Sequence, residues 1–313
     1  MKRELFIETV RDAVTDCATR AFADFAEARI GVGTSVCEVN VNRDIETPHG
    51  WWIGLGGDGV SDKELTVVKI ERPDGTPVCF IVSYGMKPCA LDNSEMKSQS
   101  RLVSGDVPGF ACRMAQEKLG APVMYFTPAA ANQVPREQAW YDAVDSEGNI
   151  YTEDIGVAEG LKIVEKLGIE MGNAILSASC AAECSAEEAE LKHDSVEILA
   201  DSRGRASMPK KPAFAQEFVF AEKQPVGSDV FTIGDIAFVS VKPELNAQTG
   251  IELKEQSPFA HTIVMSMTNG GMKYMPDKGA YESVTWESQN TSLFPGSAEL
   301  WRDMVLSLLN KLR

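Results

Sequence analysis

The sequence predicts an α/β fold in which mixed β-sheets are covered by helices. Three observations predict it. Apolar runs rich in β-branched residues come in pairs joined by turn residues, at 65–84 and at 230–241. Longer segments around them carry apolar residues at helical spacing. Hairpins alternate with these helical segments, which argues against a purely parallel βαβ array. The chain has 313 residues and is 44% hydrophobic, enough for one large core or two modest ones. Residues 1–313 are expected to form a single domain.

Taken in order, residues 4–28 read as a helix with Phe6, Val10, Ala13, Val14, Cys17, Ala21 and Phe25 along one face. A polar, Gly-containing segment follows, with Asn42-Arg43-Asp44 and His49-Gly50-Trp51-Trp52. Residues 65–70 and 78–84 flank Pro73-Asp74-Gly75, a hairpin signature. Asp106 is placed to cap a helix with Pro108 in its first turn, which runs through Phe110 and Met114 and ends at Gly120. Residues 123–126 read as a short strand, and 155–180 as a helix with a break near Gly168. Residues 196–199 read as a strand. The basic stretch 201–214, with two prolines, is the one linker-like segment. Strands are expected at 218–221, 230–233 and 236–241, the last two joined by Gly234-Asp235. A helix at 246–255, a strand at 261–267, an irregular Gly-rich and Tyr-rich stretch, and an amphipathic helix at 298–312 complete the chain.

Charge and composition narrow the function. With 46 acidic against 30 basic residues, the formal charge is -16, a surface that repels phosphate backbones. Nucleic acid is therefore not an expected partner. No run of about 18 apolar residues is present, so no transmembrane segment is expected. The N-terminus lacks a signal-peptide pattern, and the seven scattered cysteines read as reduced thiols. A cytoplasmic location follows as the expectation. Three histidines in the whole chain argue against a three-histidine zinc site. His261 sits inside an apolar run and reads as structural, whereas His49, flanked by tryptophans, is the one local candidate for a ligand or base. No phosphate-binding glycine loop and no Gly-x-Ser-x-Gly elbow occurs.

Special residues concentrate in three loops at strand ends, where sites tend to lie. These are Tyr84-Gly85-Met86-Lys87-Pro88-Cys89 leading to Ser104-Gly105-Asp106, then Ala130-Ala131-Asn132-Gln133-Val134-Pro135, and Lys242-Pro243-Glu244 followed by Asn269-Gly270 and Tyr274-Met275-Pro276. Taken singly, Lys87 reads as a surface lysine, Glu244 as a carboxylate near a helix start, and Tyr274 as a half-buried core residue.

In order and spacing, these pieces resemble the neutral/alkaline non-lysosomal ceramidase family in its broad bacterial sense. The segment ending Val82-Ser83-Tyr84-Gly85-Met86-Lys87-Pro88 is similar to that family's strand ending Ala-x-His-Pro. Ser104-Gly105-Asp106-Val107-Pro108-Gly109 looks like its Ser-Ala-Asp-x-Pro-Gly segment, and 130–135 resembles its Ala-Gly-Asp-x-x-Pro loop. Ile233-Gly234-Asp235, Pro243-Glu244, Ser257-Pro258-Phe259, Tyr274-Met275-Pro276 and Trp286-Glu287 follow its closing pattern.

The resemblance implies an α/β hydrolase of N-acyl amides whose zinc is held by two histidines, a glutamate and a tyrosine. Glu244 and Tyr274 match the last two and are the metal ligands if a metal is retained. Lys87 stands where one histidine belongs, and the His-x-His-Ser segment carrying the other has no counterpart in the sequence. Asn132 replaces the loop aspartate, Val134 the serine nucleophile, and Trp286 a second tyrosine. Lys87, Asp106 and Asn132 are thus the candidate catalytic residues, with Gln133 and Trp286 as candidate pocket residues. Lys87 is expected to pair with Glu244 across the former metal position, leaving a polar pocket for an anion or amide. Three readings follow: a ceramidase-like hydrolase of an N-acyl amide or related C–N bond with a degenerate zinc site, a non-catalytic binding protein that keeps the pocket, or one half of a two-chain enzyme whose partner chain supplies the missing N-terminal part. An incomplete gene product would instead expose core surface.

Overall fold

The computed structural model describes residues 2–93, 103–185, 188–206 and 208–313. Its N-terminal half begins with helix α1 (Lys2–Ala23) and strands β1 (Arg29–Val36), β2 (Asn40–Thr47), β3 (Gly50–Gly57), β4 (Glu64–Glu71) and β5 (Pro77–Ser83). Helix α2 (Asp106–Leu119), strands β6 (Val123–Phe126), β7 (Gln133–Pro135), β8 (Trp140–Val144) and β9 (Ile150–Asp154), and helix α3 (Gly156–Ala181) follow. One sheet has the order β1-β4-β5-β6. Its first three strands are antiparallel, and β6 returns parallel to β5 after α2. The expected hairpin is present, turning at Gly75 with φ 87°, a conformation that glycine adopts at little cost.

Helices α2 and α3 cover one face of this sheet. Leu167, Met171 and Ile175 of α3 are fully buried with Val67, Val82 and Ala111, each large side chain contributing about 1.5–3 kcal/mol of burial. The break expected near Gly168 does not occur, and α3 runs uninterrupted. Glycine here serves packing: a Cβ would stand 2.5 Å from Phe110 Cδ1, so the bare backbone lets α2 approach.

The C-terminal half contains β10 (Leu191–Ser202), β11 (Glu222–Ile233), β12 (Ile236–Ser240), β13 (Glu244–Leu245), α4 (Ala247–Gln256), β14 (His261–Met265), β15 (Tyr274–Met275), α5 (Lys278–Glu282), α6 (Trp286–Gln289) and α7 (Ser297–Leu312). The second sheet has the order β10-β11-β12-β14, with β14 parallel to β12 across α4. Helix α7 buries Trp301, Val305, Leu309 and Leu312 in a cluster with Val226, Val230 and Leu253. Trp301 Nε1 donates to Ser228 Oγ at 2.6 Å, so the indole N–H is satisfied inside the core. The sheets meet through Val68 of β4 with Ile236, Phe238 and Ile263. Val67 faces the helices and Val68 the second sheet, which explains the unbroken apolar run in β4.

Three segments depart from the sequence reading. The apolar face expected on the first helix is not buried: Leu5, Phe6, Val10 and Val14 are all exposed, and Phe25 lies beyond the helix end. Strands β1, β2 and β3 occupy the segment read only as polar and Gly-containing. In β2 the buried positions are Asn40, Asn42, Asp44 and Thr47, so its inward face is polar and hydrophobic alternation gives no signal. Residues 218–221 are not a strand; β11 begins at Glu222, and Phe218 instead packs edge-on against Tyr281 and Phe294.

Candidate functional site

The loops singled out in sequence come together between the two halves. The short strands β13 and β15 pair in parallel, with Glu244 opposite Tyr274. Glu244 N donates to Lys273 O at 2.7 Å, which fixes the pairing. Lys87 enters from the loop after β5. Its backbone N–H donates to Gln133 O at 3.1 Å, and Tyr125 Oη lies 2.6 Å from the carbonyl oxygen of Met86. Farther along the loop, Ala90 N and Leu91 N donate to the two oxygens of Asp106 at 3.0 and 2.9 Å, and Gln138 Nε2 donates to Cys89 O at 2.9 Å.

Held this way, Lys87 Nζ lies 2.9 Å from Glu244 Oε2 and donates to Tyr274 Oη at 3.3 Å. It also sits 4.6 Å from the Tyr274 ring centroid, a cation–π distance. Arg43 approaches the same phenol from β2, with Nη2 3.4 Å from Tyr274 Oη. Behind it, Arg43 Nε donates to Glu287 Oε1 of α6 at 2.8 Å. Glu287 is fully buried. Burial works against the Arg43 charge, but Glu287 and Tyr274 more than offset it and hold its pKa above the ordinary value.

Arg43, Lys87, Cys89, Trp140, Asp142 and Tyr274 are among the residues lining a cavity of about 250 Å³. That is room for roughly eight water molecules, or one small polar group. A larger cleft of about 500 Å³ is lined by residues of both sheets and α4, among them Asp62, Glu64, Lys254 and His261. There Lys254 is already paired with Asp62 at 2.6 Å and Glu64 at 2.9 Å. The smaller cavity is the one on which two cations and a phenol converge, and on that chemistry it is the candidate site.

The other sequence candidates hold this arrangement in place. Asp106 is buried and ties the 87–91 loop to the start of α2. Asn132 Oδ1 accepts from Ala247 N at 3.1 Å and from Gln133 Nε2 at 3.1 Å, linking α4 to the Gln133 strand. Gln133 is fully buried, and its amide also donates to Val60 O at 2.9 Å. Trp286 packs edge-on against Trp52 with centroids 5.0 Å apart, and Trp52 Nε1 donates to Asp142 Oδ2 at 2.8 Å on the cavity rim. His49 is exposed in the turn before β3, away from these groups. Arg43, Asp44 and Glu287 are the site residues that sequence reasoning did not select. The signal for Asp44 is polar residues recurring every second position from Asn40 to Asp44, a strand pattern with its polar face inward, and Arg43 is the charged residue between two of them.

Zinc is the metal that the resemblance implies, and the donor set does not fit it. Among the described residues, Tyr274 Oη meets the two cations Lys87 and Arg43, and the carboxylate of Glu244 lies against Lys87. Lys87 already occupies Glu244 Oε2, an ammonium cannot ligate, and zinc needs about three protein ligands. No group of three histidine, cysteine, aspartate or glutamate side chains able to hold a metal occurs among the described residues. No helix among them is long and apolar enough to cross a membrane.

No protein-family model matches the chain, and no curated protein matches it. Solved structures do. Neutral ceramidase from Pseudomonas aeruginosa superposes over 96% of this chain with a TM-score of 0.67 at 14% identity. A ceramidase structure described as complexed with C2 superposes over 94% with a TM-score of 0.65 at 12% identity. The chain spans 55% of the length of each. With mixed sheets covered by helices and this likeness over nearly its whole length, the chain has an α/β fold that resembles that of neutral ceramidase over 55% of the ceramidase chain.

Proposed function

We propose that the chain is a ceramidase-like protein whose cavity takes the acyl carbonyl of a small amide, or the carboxylate that its hydrolysis would yield, through charged side chains in place of a metal. The observation that carries this reading is the convergence of Lys87 and Arg43 on Tyr274 Oη, with Glu244 closing the ring. An oxygen placed beside the phenol would meet an ammonium and a guanidinium donor at once, and charge-assisted bonds are about twice as strong as neutral ones. Both cations keep an anionic partner, so the cavity can receive a neutral amide as well as an anion.

The chemistry of the lining favours binding over covalent catalysis. Val134 stands at the position of the serine in the resembling family. Cys89 lines the cavity, but burial pushes its thiol up to about 12, so at neutral pH it is the unreactive protonated form. Any hydrolysis would have to use water, with Glu244 the carboxylate paired with Lys87 among the described residues.

The test is calorimetric titration with N-acetylglycine and with acetate, alongside amine release measured with chelator and with added zinc. Saturable, chelator-insensitive binding that is lost in Lys87→Met is the expected result. Zinc at near-unit stoichiometry with zinc-dependent turnover would overturn the reading and restore the metallohydrolase.

The exposed apolar side chains of α1 favour a second reading, in which a separate polypeptide packs on this helix and completes the fold. Native mass spectrometry of the chain purified from its own cells would show a defined heteromeric mass. A monomer alone would count against this reading.

A further inference from the structure

Arg43 serves two buried carboxyl groups, and this leaves one of them without a counterion. Glu287 takes both Arg43 donors on a single oxygen, Oε1. Its other oxygen, Oε2, is buried with no hydrogen-bond donor among the described residues. Asp44 follows Arg43 on β2 and faces inward, its side chain within hydrogen-bonding reach of Glu287. Among the described residues, Asp44 Oδ2 accepts from the Asn132 amide at 3.5 Å, and Oδ1 is buried with no donor. Two buried carboxylates side by side cannot both ionise against one guanidinium. One hydrogen atom between them satisfies an orphaned oxygen on each residue.

We propose that Asp44 and Glu287 hold a single proton between them, and that this carboxyl–carboxylate pair is the positioning device that aims Arg43 at Tyr274. The proposal rests on the cavity reading only in taking Arg43 as one of its two cations. With the proton present, Asp44 is neutral, Glu287 is the counterion of Arg43, and Glu244 is the counterion of Lys87. The site as a whole is then balanced. Without the proton, an uncompensated negative charge sits behind Arg43 and pulls the guanidinium back from the phenol.

The charged groups facing the pair are Arg43 on β2 and Lys87 from the loop after β5; Glu244 and Tyr274, on the two short strands, contact these two cations. The amide of Asn132 is the neutral contact. Burial, and then the neighbouring Glu287 charge, push Asp44 well above the usual carboxylate range. Burial opposes ionisation of Glu287 too, but Arg43, the hydrogen bond with Asp44 and the Lys87 charge together outweigh it and hold that carboxyl below its ordinary value. The proton therefore resides on Asp44.

Infrared spectroscopy in heavy water reads this directly, without any ligand. At neutral pH every solvent-facing carboxyl is ionised, so a carbonyl stretch of a protonated carboxyl must come from a buried one. Wild type is expected to show one such band, and the isosteric Asp44→Asn to lose it. Glu287→Gln is expected to lose it as well, because Asp44 then ionises as the sole partner of Arg43. That second loss separates a shared proton from a carboxyl kept neutral by burial alone. Absence of the band in wild type, its persistence in Asp44→Asn, or its persistence in Glu287→Gln would each overturn the proposal. If Asp44→Asn fails to fold, Asp44→Ser takes its place with the same expected loss, and a wild type without the band overturns the proposal whatever the variants do. A chain that shows the band yet binds neither N-acetylglycine nor acetate would keep this inference and lose the cavity reading.

Discussion

Lys87 Nζ lies 2.9 Å from Glu244 Oε2, and the two side chains are only 15% and 19% exposed. The pair joins the loop after β5 to the first short strand of the C-terminal half, so it closes the candidate site and couples the two halves of the fold. A desolvated pair of this kind is costly to break from one side, because the remaining charge keeps its burial and loses its partner.

Lys87→Met and Glu244→Leu are each expected to destabilise the chain by on the order of 3 kcal/mol, and the double variant by much less than the sum. Urea denaturation of the four proteins measures the coupling. Additive losses would show that the pair does not act as a unit. Lys87→His is expected to leave the zinc content far below stoichiometric by elemental analysis, because replacing the ammonium restores only one of the missing nitrogen ligands.

Stability should respond to pH through Asp44. A carboxyl held protonated in the native state binds more protons there than in the unfolded chain, so stability falls as pH rises above the unfolded value of about 3.9. The contribution is fully present below that value and is lost as pH climbs through the raised native value. Asp44→Asn removes the group, and its denaturation midpoint should fall less steeply than that of wild type over the same range. Parallel profiles for the two proteins would exclude a native-state proton on Asp44.

Gly168 should not tolerate a methyl group. A Cβ there would meet Phe110 Cδ1 at 2.5 Å and Cγ at 2.9 Å, near the base of the ring where rotation gives little relief. Overpacking of about 1–3 kcal/mol outweighs the helix propensity of up to about 1 kcal/mol that alanine gains. Gly168→Ala is therefore expected to lower the melting temperature, and Phe110→Ala in the same chain to recover part of the loss.

The apolar residues of α1 should be nearly silent. Phe6 is 68% exposed and Val14 63%, so Phe6→Ser and Val14→Ser remove little packing within the described residues. Changes within about 0.5 kcal/mol are expected in thermal denaturation. A loss of 2 kcal/mol or more would mean that α1 is packed in solution, against a partner or against the body of the chain.

Local pattern made part of this protein legible. Helix α7, the turn at Asp74-Gly75, the end of α2 at Gly120 and the paired runs of β4 with β5 and β11 with β12 each declare themselves within a few residues, through periodicity or turn chemistry. The loops holding Lys87, Asn132 and Glu244 were legible as special for the same reason. What local pattern could not convey was burial without hydrophobicity. In β2 two of the inward side chains are amides that satisfy the backbone of other loops: Asn40 Nδ2 donates to Gly85 O at 2.7 Å, and Asn42 Nδ2 to Val60 O at 3.1 Å. Such partners lie far apart in sequence, and no period announces them. The reverse error came at α1, where amphipathic spacing suggested a buried face that none of the described residues covers.

By itself, then, the sequence determined the α/β class, most helices and hairpins, and the identity of the special loops, because those follow from side-chain periodicity and turn geometry. Only the tertiary structure decided which of those residues meet. It brought Lys87 and Glu244 together as an ion pair, placed Arg43 on Tyr274, and set Asp44 against Glu287 in a space with one guanidinium. Pairings of charge are decided by distance and desolvation, and both are properties of the folded chain.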